Sequence, residues 1–175
     1  MPGGATEFAV LYTRRRMKRV RTKSNLQPVN ELPWTAIEFG SCLDRARHVE
    51  DEILKRCEEC HFPEHDVFAI KLALEEALVN AVKHGNKLDP CKHVKVLYRI
   101  TKQRADVAVE DEGPGFNPAN LPDPTAEENL EATHGRGILL MRAYMNNVVF
   151  SPSGNKVTLT KFNEADPEEA KSAMG

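Results

Sequence analysis

The sequence predicts an α+β fold: a two-layer α/β sandwich in which a mixed, mostly antiparallel sheet carries its helices on one face. Three observations point there. His93 to Thr101 (HVKVLYRIT) and Ala105 to Glu110 (ADVAVE) alternate apolar and polar residues with period two across a short KQR connection, the pattern of an antiparallel hairpin. Two long stretches before them repeat apolar residues at spacings of three and four, which is helical. The elements then run strand, two helices, two strands, helix, two strands, so the grouped helices must cover one side of a sheet.

Trp34 to Phe39 (WTAIEF) alternates and reads as the first strand, with one buried face. Ser41 is placed to cap a helix over residues 43–60, whose Leu43, Ala46, Val49, Ile53, Leu54 and Cys57 face inward and which ends near His61 and Pro63. The second helix opens around Glu64 to Asp66 and runs to about His84. Its stripe is Val67, Ile70, Leu74, Leu78 and Ala81, and Gly85 with Asn86 suits a left-handed C-terminal cap. Residues 117–134 are rich in Pro, Asn, Asp and Glu with few apolar anchors, a length and composition that suit a functional lid or disorder. A third helix starts right after Gly137 with Ile138, Leu139, Met141, Ala143, Tyr144 and Met145. Two strands close the chain, Asn147 to Ser151 and Lys156 to Phe162, across an SPSGN turn.

At 175 residues, 41% hydrophobic and 29% charged, the chain suits one compact domain over residues 31–163, with a basic, disordered tail over 1–30 and a loose acidic tail over 164–175. The net charge of -2 hides an asymmetry. Arg14, Arg15, Arg16, Lys18, Arg19, Arg21 and Lys23 crowd the first 25 residues against one acid, which leaves the remainder at net -8. An acidic body argues against nucleic acid as the main ligand and makes a basic protein partner the easier one; the basic cluster reads as a solvated tail. No run of about 18 apolar residues is present and the first residues lack the order of a secretory signal, so the expected location is cytoplasmic, without membrane attachment. Cys57, Cys60 and His61 match the c-type haem attachment spacing, but they end a helical pattern rich in Glu and Lys. Cys42 and Cys91 are solitary, which does not suit zinc, so the four thiols are expected to be reduced.

The stretch with most chemistry in it is Leu72 to Asn86, LALEEALVNAVKHGN. Glu76, Asn80 and Lys83 are separated by four and three residues, which stacks a carboxylate, an amide and an ammonium along one side of the helix, with His84 adjacent. Such a column suits a metal and phosphates; taken alone it also fits an ordinary amphipathic helix with a wet face. Glu75 lies about 100° around the helix from Glu76 and reads as a structural or solvated acid. Gly113 and Gly115 flank a proline just past a strand end, where backbone turns tightly or admits a ligand. Gly135 and Gly137 bracket Arg136 at a helix start, where free N–H groups, the helix dipole and a guanidinium form an anion site. No GxxxxGK[ST] occurs.

In that order, EALVNAVKHGN (76–86), DEGPGF (111–116) and HGRGILLMRAYMN (134–146) resemble the three boxes of the Bergerat-fold (GHKL) ATPase superfamily, and more narrowly its anti-sigma-factor serine kinase branch. The likeness covers about residues 32–162. It implies the Bergerat ATP-binding fold, ATP and Mg2+ as ligands, and a serine/threonine protein kinase regulating transcription, with a sigma factor and an anti-anti-sigma (STAS-type) protein as partners and a homodimer as a further expectation. By the resemblance, Asn80 coordinates Mg2+, Lys83 and His84 lie near the phosphates, and Asp111 accepts from the adenine amino group. Gly113 and Gly115 let the nucleotide lie against the backbone, Gly135, Arg136 and Gly137 hold the β- and γ-phosphates, and Glu76 is the catalytic base. The family commonly has Thr directly after the glycine of the final hairpin; this chain has Asn155 after Gly154. The alternative is a non-catalytic, ATP-dependent module that sequesters a partner. Only turnover separates the two.

Overall fold

The computed structural model describes residues 33–118 and 136–165. The basic tail, nearly all of the acidic segment before the third helix, and the last ten residues lie outside them. In order, the chain forms β1 (Thr35–Gly40), α1 (Leu43–Glu59), α2 (Glu64–Val79), a π-helical turn continuing α2 (Asn80–Gly85), β2 (His93–Ile100), β3 (Arg104–Asp111), α3 (Arg136–Tyr144), β4 (Asn147–Phe150) and β5 (Lys156–Phe162). The strands make one sheet in the order β1-β2-β3-β5-β4, and every neighbouring pair is antiparallel. The expected two-layer α+β sandwich is thus present.

Period two decides which side of the sheet is covered. Val94, Val96 and Tyr98 of β2 are buried, while His93 before them and Lys95 between the valines are exposed. The register continues that row across the sheet: Phe39 opposes Val94, Val96 opposes Val109, and Val107 opposes Leu159. Against it lie Ala46, Val49, Ile53 and Cys57 from α1, Ile70, Leu74 and Leu78 from α2, and Met141 from α3, all in one apolar cluster. Each fully buried Leu, Ile or Val contributes about 1.5–3 kcal/mol, so this cluster is the main source of stability. α2 also buries Ala69, Ala73 and Ala77, and these small side chains let it lie in contact with both α1 and α3.

Two expected helix ends are built differently. Ser41 does not cap α1; the N-cap is Cys42, without a side-chain hydrogen bond, and the buried Ser41 hydroxyl points instead at the Val82 carbonyl, 3.5 Å away. At the end of α2, Gly85 and Asn86 are not left-handed. Asn86 has φ -78°, and the positive φ values fall on Lys87 (56°) and Leu88 (59°). The last turn closes its hydrogen bonds to the fifth residue back, as in Asn86 N–H to Ala81 O at 2.8 Å, so the chain overshoots the usual cap position.

A buried ion pair joins the start of α2 to the end of β5. Asp66 is fully buried; its Oδ1 lies 3.0 Å from Lys161 Nζ in an ion pair, and its Oδ2 accepts the Glu164 N–H at 2.9 Å. Glu164 in turn meets Lys161 at 3.1 Å and His65 at 2.9 Å, and these two partners hold its carboxyl below the usual range. Asn163 is buried and donates to the Lys102 carbonyl at 2.7 Å. Glu164 and Ala165, which fall within the tail expected from residue 164, are both bonded, as is Asn163 before them; the rest of that tail lies outside the described residues.

Asp66→Ala leaves the Lys161 ammonium buried without its carboxylate and should cost about 3–5 kcal/mol of unfolding free energy. Arg47→Ala, which breaks an exposed pair with Asp44, should leave the midpoint unchanged. Urea denaturation followed by circular dichroism measures both.

Candidate functional site

Glu76 and Asn80 sit one turn apart on α2, half-buried, on the side turned away from the sheet core. Neither side chain has a hydrogen-bond partner among the described residues. Both line a cleft of about 530 Å³ that opens between the end of α2, the end of β3, the start of α3 and the β4–β5 turn. Its other polar members include His84, Asp111, Asn155 and Lys156; its walls are apolar, with Val109, Phe116, Ile138, Met141, Phe150 and Val157. Phe116 and Phe150 stack edge to face at 5.3 Å. A slot with apolar walls and few polar groups suits a flat ring with a polar edge.

The π-helical turn decides which basic residue reaches the cleft. Hydrogen bonds to the fifth residue back widen the turn, so each residue advances less around the axis than in an α-helix. The column expected from Glu76 through Asn80 to Lys83 therefore breaks at its last member. His84 lines the cleft, whereas Lys83 is exposed and does not.

Glycines bring the backbone together behind the cleft. A Cβ on Gly85 would overlap the Asp111 carboxyl group, and one on Gly113 would overlap the Gly85 carbonyl. One on Gly137 would overlap the Glu76 carboxyl group, so the start of α3 lies directly on that side chain. Gly115, at φ 68°, and Gly154, at φ 70°, need the left-handed region; they let the loop after β3 pack on the β4–β5 turn.

Asp111, the last residue of β3, is half-buried, and burial pushes its carboxyl above the ordinary value of 3.8. Its Oδ1 accepts the Gly113 N–H at 2.7 Å. Its main chain is paired to Asn155 twice: Asp111 N–H donates to the Asn155 carbonyl at 2.9 Å, and Asn155 Nδ2 donates to the Asp111 carbonyl at 3.0 Å. Asn86, fully buried, bridges the same corner. Its Nδ2 donates to the His93 carbonyl and its Oδ1 accepts the Glu112 N–H, both at 2.9 Å. An uncharged amide with both ends satisfied can be buried at little cost.

Of the residues singled out from sequence, Glu76, Asn80, His84, Asp111, Gly115 and Gly137 line one cleft. Gly113 stands just behind it on Asp111. Gly135 and the Arg136 side chain lie outside the described residues. Residues that sequence reasoning passed over are the apolar walls, whose pattern looks like ordinary core, and the bridging role of Asn86, which was read as a cap.

The histidine kinase-like ATPase domain model matches residues 41–161. "Serine-protein kinase RsbW" of Bacillus licheniformis is 32% identical over 106 residues, 55% of this chain and 65% of that protein. The same-named protein of Listeria monocytogenes is 30% identical over 108 residues, 57% of this chain and 69% of that one. "Anti-sigma F factor" of Clostridium perfringens is 33% identical over 92 residues, 51% and 65%. The chain thus spans just under two thirds of the length of the Bacillus and Clostridium relatives. Among solved structures, the RsbU and RsbW domains of a Mycobacterium tuberculosis protein superpose with a TM-score of 0.49 at 17% identity, over 75% of this chain and 32% of that one. With the family model matched over more than half of its length, across the same elements that build the cleft, the chain belongs to the histidine kinase-like ATPase domain family.

Proposed function

We propose that this protein is an ATP-binding anti-sigma regulatory factor of the cytoplasm that acts as a serine protein kinase on an anti-anti-sigma partner of STAS type and, unphosphorylated partner being absent, holds a sigma factor. The observation that carries the reading is the convergence of Glu76, Asn80, Asp111 and Gly137 on one apolar-walled cleft, with Glu76 and Asn80 left unpartnered among the described residues. The names of the relatives, kinase and anti-sigma factor, support it. The domain proposed to do this is residues 31–163 together with the bonded Glu164 and Ala165. No helix among the described residues is long and apolar enough to cross a membrane.

The roles follow from the chemistry of each group. The apolar walls hold the adenine ring. Asp111, with Oδ1 already taken by Gly113, offers Oδ2 to the exocyclic amine. Asn80 presents a half-buried amide oxygen with no competing partner, which fits a hard divalent cation such as Mg2+. When bound, that ion supplies positive charge against the phosphate oxygens. His84 is the basic neighbour on the phosphate side. Lys83, exposed and off the cleft, is not assigned a contact. Gly137 and the N–H groups at the start of α3, together with Gly135 and Arg136, are proposed for the terminal phosphates.

Glu76 is proposed as the base. It takes the proton from a partner serine hydroxyl as that oxygen bonds to the γ-phosphorus and the bond to the β-phosphate oxygen breaks, releasing ADP. Its place is fixed on both sides, by one turn of α2 from Asn80 and by the Gly137 backbone. A homodimer is compatible with this arrangement and is proposed as the working assembly.

Glu76→Gln keeps the shape of the side chain and removes the base. Phosphoserine formation on the anti-anti-sigma partner, followed with radiolabelled ATP, should fall at least 100-fold while ATP affinity stays within about threefold. Undiminished transfer would remove Glu76 from its role, and transfer absent from the unaltered protein at millimolar ATP would leave the non-catalytic module as the correct reading.

Burial raises the Asp111 carboxyl, so the folded chain holds this proton more tightly than the unfolded chain does, and its ionised form costs stability above that pKa. Base binding needs the ionised form. ATP affinity, measured by calorimetric titration, should therefore start to fall as pH drops while still above 3.8. Asp111→Asn should leave the thermal midpoint unchanged or higher, yet weaken ATP at least tenfold.

A further inference from the structure

Three side chains that can ligate a metal meet where the chain leaving β5 passes the start of α2, about 21 Å along the helix axis from Asn80 and so apart from the cleft. They are His65, Asp66 and Glu164, and one donor atom from each lies within 4.8 Å of the others. His65 Nε2 stands 2.9 Å from Glu164 Oε2 and 3.4 Å from Asp66 Oδ1. Donor atoms held tetrahedrally on one zinc ion, at bonds of about 2.0–2.2 Å, stand about 3.3–3.6 Å apart. The separations to His65 lie close to that range, and His65 and Glu164 are exposed and able to adjust.

Asp66 Oδ1 is the atom that marks the site. It is fully buried, and no hydrogen bond reaches it from the described residues. Its ion-pair neighbour, Lys161 Nζ, is shared with Glu164 Oε1 at 3.1 Å. This corner therefore already holds a positive charge, but it sets one ammonium against two carboxylates. Oε1 of Glu164 faces the ammonium and Oε2 faces His65, so an ion on Oε2 leaves that pair in place. A carboxylate oxygen has two lone-pair sites, and Asp66 Oδ1 can keep Lys161 beside it while it accepts an ion.

We infer that His65, Asp66 and Glu164 form a site for a divalent transition-metal ion of the zinc class, which fastens the residues after β5 to the start of α2. An imidazole nitrogen with two carboxylate oxygens suits zinc and its neighbours, whereas Mg2+ and Ca2+ call for more oxygen ligands than are gathered here. Binding takes the lone pair of His65 Nε2, so the ring proton resides on Nδ1 and the contact between Nε2 and Oε2 gives way to a bond from each atom to the ion. Water completes the tetrahedron on the exposed side. The site stands independently of the nucleotide reading of the cleft.

The test titrates the full chain, kept reduced and without nucleotide, with zinc chloride against a chelating indicator, and with cobalt chloride for its visible spectrum. The unaltered protein should take up one zinc ion with a rise in thermal midpoint, and a large excess of Mg2+ or Ca2+ should not displace it. His65→Ala and Glu164→Gln should each weaken zinc at least tenfold and abolish the rise. His48→Ala, at an exposed histidine on α1, should change neither. Cobalt should show the absorption of nitrogen and oxygen ligands alone. A sulfur-to-cobalt charge-transfer band, which assigns the ion to the cysteines, overturns the inference, as does zinc affinity that is unchanged in His65→Ala or absent from the unaltered protein at millimolar ion. If Glu164→Gln does not fold by circular dichroism, His65→Ala decides, because that ring is exposed.

Discussion

The constraint on which the site depends is the contact between the end of a helix and the end of a strand at Gly85 and Asp111. Main chain meets carboxyl group there with no room for a Cβ, and Gly113 meets the Gly85 carbonyl with no more room. Asn86 secures the seam from beneath by bonding both His93 and Glu112. Because α2 is a continuous rod, this seam also sets where Glu76 and Asn80 stand relative to the sheet. A side chain at Gly85 would push the rod off β3 and carry the carboxylate and amide with it.

The cleft contrasts with two buried carboxylates elsewhere in the molecule. Asp106 receives Arg99 at 2.7 Å, Arg104 at 2.8 Å and the Thr160 hydroxyl at 2.9 Å, and Arg99 also lies over the Trp34 ring at 4.8 Å. Asp66 is enclosed by Lys161 and the Glu164 main chain. Such groups hold strands and helix ends in register, since removing one partner strands the other without water. In the cleft, Glu76 and Asn80 lack such partners among the described residues, and Asp111 is pushed toward its neutral form by burial.

The elements were legible because each carries its own period: alternation in HVKVLYRIT, threes and fours from Val67 to Ala81. The glycine boxes were legible because glycine beside a strand end or helix start has few other uses. What the sequence hid depends on contacts between distant segments. Helical periodicity predicts Lys83 beneath Asn80, and nothing local reveals that the last turn widens to bring Gly85 and Asn86 onto β3 and the start of β2. Ser41 has the chemistry of a cap, but it is buried against the π-helical turn and its hydroxyl is directed there. Asn155 stood out only as a residue in an unexpected place; that its amide is split between Asp111 and two serines follows from a hairpin turn landing beside a strand 44 residues away.

The widened turn at Asn80–Gly85 makes the length of this segment a stricter requirement than its composition. A helix that lost one residue here could return to bonding the fourth residue back and keep a full set of main-chain hydrogen bonds. Its stability would suffer little locally, yet Gly85 would no longer meet Asp111 and Asn86 would no longer reach His93 and Glu112. The turn can therefore accept other side chains along its outer face, where Lys83 is exposed, far more readily than it can gain or lose a single residue.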